Sequence, residues 1–551
     1  MVYYSTLVQV PSENIHKSRN YIYLVTGREY SKEKKCNIYQ RTLIGKINPA
    51  DNQTMYPNES YFKLFESEKP EEDRSQPNLD HSDVQRIGAV AMTRALMEDL
   101  SLLEKLKLVF GDEDANLIAD LAAYICLSGS SVMQHFPAWG YDHPLYSDTA
   151  LSDSSISRFL NQSITPGQTY AFLKEWNKGR SRQETLYVNG DATNMNTDGC
   201  GIELAEMGYA KDDKTKPQVN IAIAATAKDN LPLLYDLYSG SYNDVSEFPY
   251  MIRMCSEFGY KSIGFILDRG YFSKDILHSL RDKGYKLIMM LKDNNLCVKQ
   301  LISEHGKLLK RNWQAYIDEH DVCGITIPGP LFKDDNEVCY RHLYYSQALE
   351  LKESRHLMAT LNKYKGELDK RIAEGDLKAD EAKRYARYFD LELSDGVVVS
   401  YKPNDVNIEY EQDMLGFFVI ASTEDMDAAQ VLTIYRDRDA VEKLFEFIKT
   451  EMDCKRFRVH SDESLGSKVF IVFIATILRS QIYTRMKKIR DKDKKHFTVP
   501  ATIKELDKIL AVRQGDDEPF IRNRKLTAIQ KKMLKEFGVT EKDIDKLIKS
   551  I

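Results

Sequence analysis

Three acidic residues stand in sequence contexts where their carboxylates could bind a divalent metal ion. Asp191, in "VNGDATN", is predicted at the end of the first strand of an α/β sheet, and Asp268 directly follows the apolar run "IGFIL". Glu442 lies in a helical pattern after the last predicted strand. Three carboxylates supply only oxygen ligands, which suit Mg²⁺ or Mn²⁺ and not Zn²⁺. Two such ions could activate a water or a 3′-hydroxyl at a phosphodiester and stabilise the leaving oxygen, with no histidine base required.

Each acid also has an ordinary structural interpretation. Asp191 and Asp268 could be turn or capping residues, and Glu442 could be half of a surface ion pair. Glu446, one helical turn beyond Glu442, and Asp198, in "NTDG", compete for the same role. Spacing favours Glu442 over its neighbour, and Asp198 follows the strand by too many residues. The joint pattern favours the metal site.

The segment "LTIYRDRDAVEKLFEFIKTEMDCKRFR" is predicted to be one amphipathic helix. Tyr435, Arg438 and Lys449 lie at offsets of −7, −4 and +7 from Glu442. At about 100° per residue these positions fall within an arc of roughly 60°, so the four side chains would share one stripe. A second stripe is apolar and faces inward; its members are Val441, Leu444, Phe445 and Ile448.

The elements that would position these residues follow from hydrophobic periodicity. Three consecutive β runs from Thr185, Gln218 and Leu231 precede an alternation of helix and strand up to "KLIMMLK". This order predicts a sheet that begins antiparallel and finishes parallel. From Asn294 to about Met414 the pattern breaks into short strands and a charged helix of about forty residues, which predicts a self-contained insertion. The buried strand "MLGFFVIAS" follows it.

The first 180 residues contain a β-rich part and a helical part. Residues 1 to about 65 alternate in short β-like runs, and the periodicity becomes helical from about Asp83. In the helical pair from Asp153 to about Trp176, Ser152 or Asp153 would cap the first helix and Thr165 the second. The pair could be a DNA-reading helix-turn-helix, although ordinary packing of two helices is the more common arrangement.

Bulk composition indicates a soluble protein with two to four folding units. The chain has 551 residues, of which 42% are hydrophobic and 29% are charged. We find no export signal and no apolar run of the roughly 18 residues that a membrane span requires, which predicts a cytoplasmic protein without a membrane partner. The eight cysteines form no C-x-x-C pair and are expected to be buried in a reducing compartment. Neither a P-loop nor a dinucleotide-binding glycine motif is present.

Charge is distributed unevenly, although the net charge is only −6. The run "FESEKPEEDR" from Phe65 is acidic, whereas runs from Lys178, Cys454 and Arg485 are basic. Local basic stripes can hold a phosphate backbone, but most such clusters are solvated helix faces.

The sequence resembles the DDE transposases of bacterial insertion sequences, in the branch named for a Y-x(2)-R-x(3)-E-x(6)-K signature. Tyr435, Arg438, Glu442 and Lys449 match that spacing without a gap. "DRGYFS" resembles the second aspartate block of the family, and Asp191 with "DATNM" resembles the first. The "IGKI" segment and the "GFFVIAS" strand are similar to flanking parts of the same group.

The resemblance implies an α/β fold with a ribonuclease H-like mixed sheet, flanking helices and an insertion between the second aspartate and the glutamate. It implies that Asp191, Asp268 and Glu442 are the catalytic metal ligands, and that DNA near the scissile phosphate is contacted by Tyr435, Arg438 and Lys449. The expected domains are 1–70 (β-rich), 80–180 (helical, DNA-end-binding), 184–293 and 414–480 (catalytic), 294–413 (insertion) and 481–551 (helical).

The function predicted on this basis is cut-and-paste transposition. A homodimer would bind the terminal inverted repeats of its element, hydrolyse the phosphodiester there with Mg²⁺ or Mn²⁺, and join the 3′-hydroxyl to double-stranded target DNA. Some relatives form a hairpin at the donor end, and the resemblance extends that expectation to this chain. Two alternatives stay open: a related metal nuclease without strand transfer, and a catalytically inactive DNA-binding derivative.

Overall fold

The computed structural model describes residues 7–18, 21–31, 36–48, 51–65, 82–147, 151–180, 185–199, 201–209, 213–332, 337–493, 497–515 and 518–551. The chain divides into two compact units, Met1–Asp80 and His81–Ile551. The acidic run from Phe65 lies outside the described residues from 66 onward, as do residues 181–182 and 494–495 of two basic runs.

The first unit is an antiparallel sheet of five strands with one short helix. Its sheet order is β1-β5-β4-β3-β2, and its core contains Ile22, Ile44 and Met55. The elements are β1 (Val8–Gln9), β2 (Ile15–Ser18), β3 (Tyr21–Ser31), β4 (Cys36–Ile47), β5 (Thr54–Pro57) and α1 (Glu59–Leu64).

The second unit begins with a short strand and six helices. They are β6 (Val84–Arg86), α2 (Gly88–Asp99), α3 (Leu102–Phe110), α4 (Asp112–Ser128), α5 (Phe136–Gly140), α6 (Asp153–Gln162) and α7 (Pro166–Asn177). The predicted caps are confirmed, because the Ser152 and Thr165 side chains accept the N–H groups of Ser155 and Gln168. Trp176 of α7 is fully buried and donates to the Pro232 carbonyl at 2.9 Å, so this helix packs into the core.

A nine-stranded mixed sheet forms the centre of the second unit. Its first part comprises β7 (Leu186–Asn196), β8 (Gln218–Thr226), β9 (Pro232–Ser239), α8 (Asp244–Glu257), β10 (Ile263–Leu267), α9 (Lys274–Asp282) and β11 (Lys286–Met290). The predicted directions are confirmed: β7, β8 and β9 pair antiparallel, whereas β10 pairs parallel with both β7 and β11. All nine residues of β8 are buried, as expected of an interior strand.

Residues 294–413 do not form one separate body. Their elements are α10 (Leu296–Leu309), β12 (Tyr316–Ile317), β13 (Val322–Gly329), β14 (Cys339–Tyr345), α11 (Gln347–Glu374), α12 (Ala379–Ala382), β15 (Phe389–Ser394), β16 (Val397–Pro403) and α13 (Asp405–Asp413). Strands β12 to β14 extend the central sheet, because β14 pairs with the following strand, β17 (Phe417–Ser422), which also pairs with β11. Only the part from α11 to β16 has its own small core, around Leu368 and Tyr385.

The predicted forty-residue helix is wrong in length. Helix α11 has 28 residues and ends at Gly375, which takes a left-handed backbone conformation with φ of 69°. Glycine is the residue that adopts this conformation with least strain, so it is an effective helix terminator.

The rest of the chain is mostly helical. It contains α14 (Ala428–Arg436), α15 (Asp439–Glu446), a π-helical turn (Phe447–Glu451), α16 (Asp462–Asp493), α17 (Val499–Leu506), β18 (Leu510–Val512), β19 (Ile521–Arg522), α18 (Ala528–Glu536) and α19 (Glu541–Lys549). Helix α16 crosses the predicted boundary at residue 480, and β18 pairs with β6.

Helix α16 is long and apolar enough to cross a membrane by length and composition, contrary to the sequence-based expectation. However, 94% of its apolar window is buried inside the protein, where it packs against α4, α6 and β9. The bent pair of Asp112–Ser128 and Met133–Gly140 passes the same test only when taken together. A core helix meets this criterion equally well, so the finding is weak support for a span.

Candidate active site

Two of the three predicted carboxylates belong to neighbouring strands, Asp191 within β7 and Asp268 directly after β10. The parallel pairing of β10 with β7 sets Ile266 opposite Asn189. Asp268 and Asp191 lie two residues further along these strands, and the backbone of Asp268 is still extended. Because side chains alternate between faces, both aspartates lie on the face that carries Ile266 and Asn189.

The prediction that Asp191 ends its strand is wrong. Strand β7 continues for five residues beyond it, to Asn196, and Asp191 pairs with Ile223 of β8. The reason is that β8 supplies an antiparallel partner along this whole stretch, which "NGDATN" alone did not indicate. Asp191 is half-buried, and its Oδ1 accepts the Ala192 N–H at 2.8 Å.

Arg438 contacts both Asp268 and Glu442. Its Nη1 lies 3.6 Å from Asp268 Oδ1, and its Nη2 donates to Glu442 Oε1 at 2.9 Å. Burial by itself would lower the pKa of Arg438, but Tyr435, Asp268, Glu442 and Asp191 together raise it above the ordinary value. All three predicted carboxylates therefore act electrostatically on one guanidinium.

A hydrogen bond from strand β7 and buried apolar side chains fix the helix that carries Glu442. Asn189, two residues before Asp191 on the same face, donates from Nδ2 to the Asp437 carbonyl at 2.9 Å. Val441 and Leu444 are fully buried in the core. Sequence reasoning missed Asn189, although its two-residue spacing from Asp191 in a strand is a signal that could have found it.

The predicted single helix is wrong. Helix α14 ends at Arg436, a turn covers residues 437–438, α15 begins at Asp439, and a π-helical turn starts at Phe447. A turn and a change of pitch interrupt the 100° periodicity, so the four signature residues do not form one regular stripe. The junction still places Arg438 against the carboxylates.

The other two signature residues occupy different environments. Tyr435 is buried with only 7% of its surface exposed, and the Arg438 guanidinium lies 5.7 Å from the centre of its ring. Lys449 lies in the π-helical turn and is partly exposed. Contact of either residue with DNA stays a prediction.

The two competing acids face elsewhere. Asp198 pairs with Lys216 at 2.8 Å and with Arg456 at 3.2 Å. Glu446 pairs with Lys443 at 2.6 Å, whereas Glu442 pairs with Arg438. Both competitors are therefore paired with cations other than Arg438.

The donor set fits a divalent cation in its chemistry. Three carboxylates and no nitrogen or sulfur ligand match the preference of Mg²⁺ and Mn²⁺. In the part of the chain that the structure describes, no three His, Cys, Asp or Glu side chains are grouped closely enough to hold a metal ion as they stand. At this site Arg438, itself a cation, contacts both Asp268 and Glu442.

Comparison with known proteins gives one family match. A family model described as a transposase DDE domain matches residues 190–478, more than half of the chain, and this range includes all three predicted carboxylates. No curated protein matches the chain. A solved structure, a piggyBac transposase synaptic complex with hairpin DNA, is similar at 11% identity over 80% of this chain and 75% of that chain. Its TM-score of 0.35 is too low to define a common fold.

Proposed function

The chain belongs to the DDE transposase family, and we propose that it catalyses cut-and-paste DNA transposition. In this proposal it hydrolyses the phosphodiester at the ends of its own element and joins the exposed 3′-hydroxyl to double-stranded target DNA. The observation that carries the proposal is the convergence of Asp268 and Glu442 on the Arg438 guanidinium, with Asp191 on the adjacent strand.

The three carboxylates would hold Mg²⁺ or Mn²⁺, as members of this family generally use divalent metal ions. When bound, a pair of such ions activates the attacking water or 3′-hydroxyl and stabilises the leaving oxygen. The protein supplies the ligands from two neighbouring strands and from α15, which Asn189 fixes to the sheet. Ligands on rigid elements keep their separation, which a reaction at one phosphorus atom requires.

Arg438 would contact the phosphate next to the bond that is cut. A guanidinium can bind two phosphate oxygens at once, and Arg438 already has two acceptors in this position. Lys449 would add a point charge, and Tyr435 would orient Arg438 from beneath. The gapless match of these residues and Glu442 to the Y-R-E-K spacing supports placing the chain in that branch of bacterial insertion-sequence enzymes.

The finer features of the proposal follow from the same family resemblance. They comprise a ribonuclease H-like catalytic sheet, a homodimer on the terminal inverted repeats, a hairpin at the donor end, and action in the cytoplasm on the nucleoid. The strand order β9-β8-β7-β10-β11, three antiparallel strands and then two parallel ones, supports the first of these. End recognition would come from residues 80–180 or from the insertion, residues 294–413.

The test is an oligonucleotide assay with the terminal repeats that flank the reading frame. Wild-type protein should cut the end in Mg²⁺ or Mn²⁺ and join a pre-cut 3′ end to a plasmid. D191N, D268N and E442Q should each lose both reactions. D198N and E446Q are matched controls, because they remove one carboxylate each from outside the triad and should keep both reactions.

The outcomes distinguish the three functions. Cutting without joining would favour a metal nuclease, and specific binding without either reaction would favour an inactive derivative. Full activity in any one of the three triad variants would contradict the proposal.

A further inference from the structure

A large groove begins at the candidate active site and leads away from it. Its volume is about 1300 Å³, and it runs from Asp268 along the start of α10 to one face of α11 and the end of α13. Asp268 is part of its wall, so a strand held at the carboxylates could continue into this space. The proposed function assigns no individual role to the other groove residues.

Three lysines in the groove wall make no hydrogen bond or ion pair with the residues that the structure describes. Lys292 and Lys352 are exposed and Lys299 is partly exposed, and all three line the groove. Among the described residues, none of the three ammonium groups has a hydrogen-bond or ion-pair partner in the structure. An unpaired ammonium keeps its full charge available for an incoming anion.

The acidic groups of the same wall are already satisfied by other partners. Asp293 pairs with Arg269 at 3.2 Å, and Glu411 accepts from Arg387. Glu353 accepts the Gly416 N–H at 2.8 Å. The three lysines outnumber Glu353, whose partner is a neutral N–H group, so the groove carries a positive charge in a protein whose net charge is negative.

Aromatic rings line the same groove as these charges. Tyr364 and Tyr388 are partly exposed, with ring centres 6.3 Å apart. Tyr410 of α13 is 43% exposed. Cations and aromatic rings that line one groove are typical of single-strand binding sites, where lysines follow the phosphates and bases stack on the rings.

We infer that this groove binds single-stranded DNA, namely the stretch that continues from the strand held at Asp268. Lys292, Lys299 and Lys352 would neutralise three phosphates, and Tyr410 would stack on an unpaired base. Bases within a duplex are covered by their neighbours and offer only edges, so exposed rings in the wall favour an unpaired strand. The inference rests on the proposed function, because that function supplies the strand at Asp268.

The experiment measures binding of fluorescently labelled oligo(dT) of 12 nucleotides to the full chain by anisotropy, with EDTA present. Wild type should bind this probe more tightly than a blunt 12-base-pair duplex of the same label. The triple variant K292Q/K299Q/K352Q should lower affinity for the single strand about tenfold or more at low salt. Its log–log salt slope should fall by about 2, at about 0.7 for each phosphate that is no longer neutralised.

A matched control uses three lysines of α11, the helix that carries Lys352. K363Q/K365Q/K370Q removes the same charge from residues of α11 that do not line the groove, and it should bind as wild type does. Y410L should weaken oligo(dT) binding about tenfold, since stacking of one base contributes about 1–3 kcal/mol, with a salt slope unchanged.

Three results would overturn the inference. One is an equal effect of both triple variants, another is an equal loss of duplex and single-strand binding in K292Q/K299Q/K352Q, and the third is oligo(dT) binding that the groove variants leave unaltered. The binding assay contains no divalent cation and no element end, so it can succeed when the transposition assay fails. Conversely, the protein could cleave and join DNA while the groove variants bind oligo(dT) as wild type does. That result would show that the inference about the groove is wrong and would not contradict the proposed function.

Discussion

Replacing Arg438 by glutamine should tighten the binding of a divalent cation in the absence of DNA. The Arg438 guanidinium occupies the space between two of the proposed ligands, at 3.6 Å from Asp268 and 2.9 Å from Glu442. The metal ion must displace this internal cation before both carboxylates are free to bind it. R438Q removes the competitor and leaves the carboxylates in place.

The size of the effect follows from the exposure of the partners. The Arg438 side chain is only 17% exposed, but those of Asp268 and Glu442 are 42% and 58% exposed. Coulomb's law at an effective dielectric constant of about 20 gives about 4 kcal/mol for a pair at 4 Å. Solvent screening of partly exposed carboxylates reduces this to about 0.5–1 kcal/mol per pair. Two pairs therefore give about 1–2 kcal/mol, or an increase of roughly 5- to 30-fold in affinity.

The assay is calorimetric titration of Mn²⁺ into wild type, R438Q and a control, R436Q. Arg436 is two residues away and exposed, but it contacts His320 and neither of the carboxylates, so its loss should leave Mn²⁺ affinity unchanged. R438Q should bind Mn²⁺ more tightly and yet fail to cut DNA, because its phosphate contact is gone. Unchanged or weaker Mn²⁺ binding in R438Q would show that Arg438 does not compete with the metal ion for these carboxylates.

Three stability predictions follow from single buried or strained positions. Burial lowers the pKa of Lys468 to about 8 from 10.5, so the free energy of unfolding should rise between pH 8 and 10.5, where the unfolded chain binds the extra proton. K468M should lack this rise, so its free energy of unfolding minus that of wild type should be up to about 3 kcal/mol larger at pH 7 than at pH 10.5, measured by urea unfolding at both pH values; a difference from wild type that is the same at both pH values would contradict it. W176F removes the donor to the buried Pro232 carbonyl and should cost about 1–3 kcal/mol in chemical unfolding. G375A forces alanine to a φ of 69° with no atom within 4 Å of the new Cβ, so only backbone strain of about 1–2 kcal/mol should appear, and a neutral result in the same unfolding assay would contradict that.

Local sequence patterns predicted the structure correctly where one short-range interaction decides it. The apolar run of β8, the alternation of strand and helix up to β11, and the Ser152 and Thr165 caps all follow from neighbouring residues, and the structure confirms them. A side chain that caps a helix three residues away needs no information about the rest of the fold.

Long-range contacts decided the features that the sequence did not predict. The continuation of β7 past Asp191 depends on pairing with β8, and the addition of β12–β14 to the sheet depends on β17. The break at residues 437–438 lies where Asn189 binds the Asp437 carbonyl, a contact between residues 248 positions apart. Hydrophobic periodicity contains no information about such a contact, so it predicted one regular helix through the junction.

For the candidate site, the sequence predicted the acids but not their arrangement. An ion pair of Glu442 was the ordinary alternative to metal binding, and the structure has this pair, with Arg438, at 2.9 Å; metal binding by the three acids stays a prediction. The second contact of Arg438, to Asp268, joins residues 170 positions apart and appears only in the fold.

The most direct test of a metal site shared by the three carboxylates is iron-directed cleavage of the polypeptide itself. Fe²⁺ takes oxygen ligands in place of Mg²⁺, and with ascorbate and peroxide it would cut the backbone near the ion that it replaces. If the three carboxylates share a metal site, three sets of cuts are expected, near Asp191, Asp268 and Glu442, all suppressed together by excess Mg²⁺ and all absent in D268N. Cuts confined to one of these segments, or cuts that persist unchanged in D268N, would show that the three carboxylates do not share a metal site.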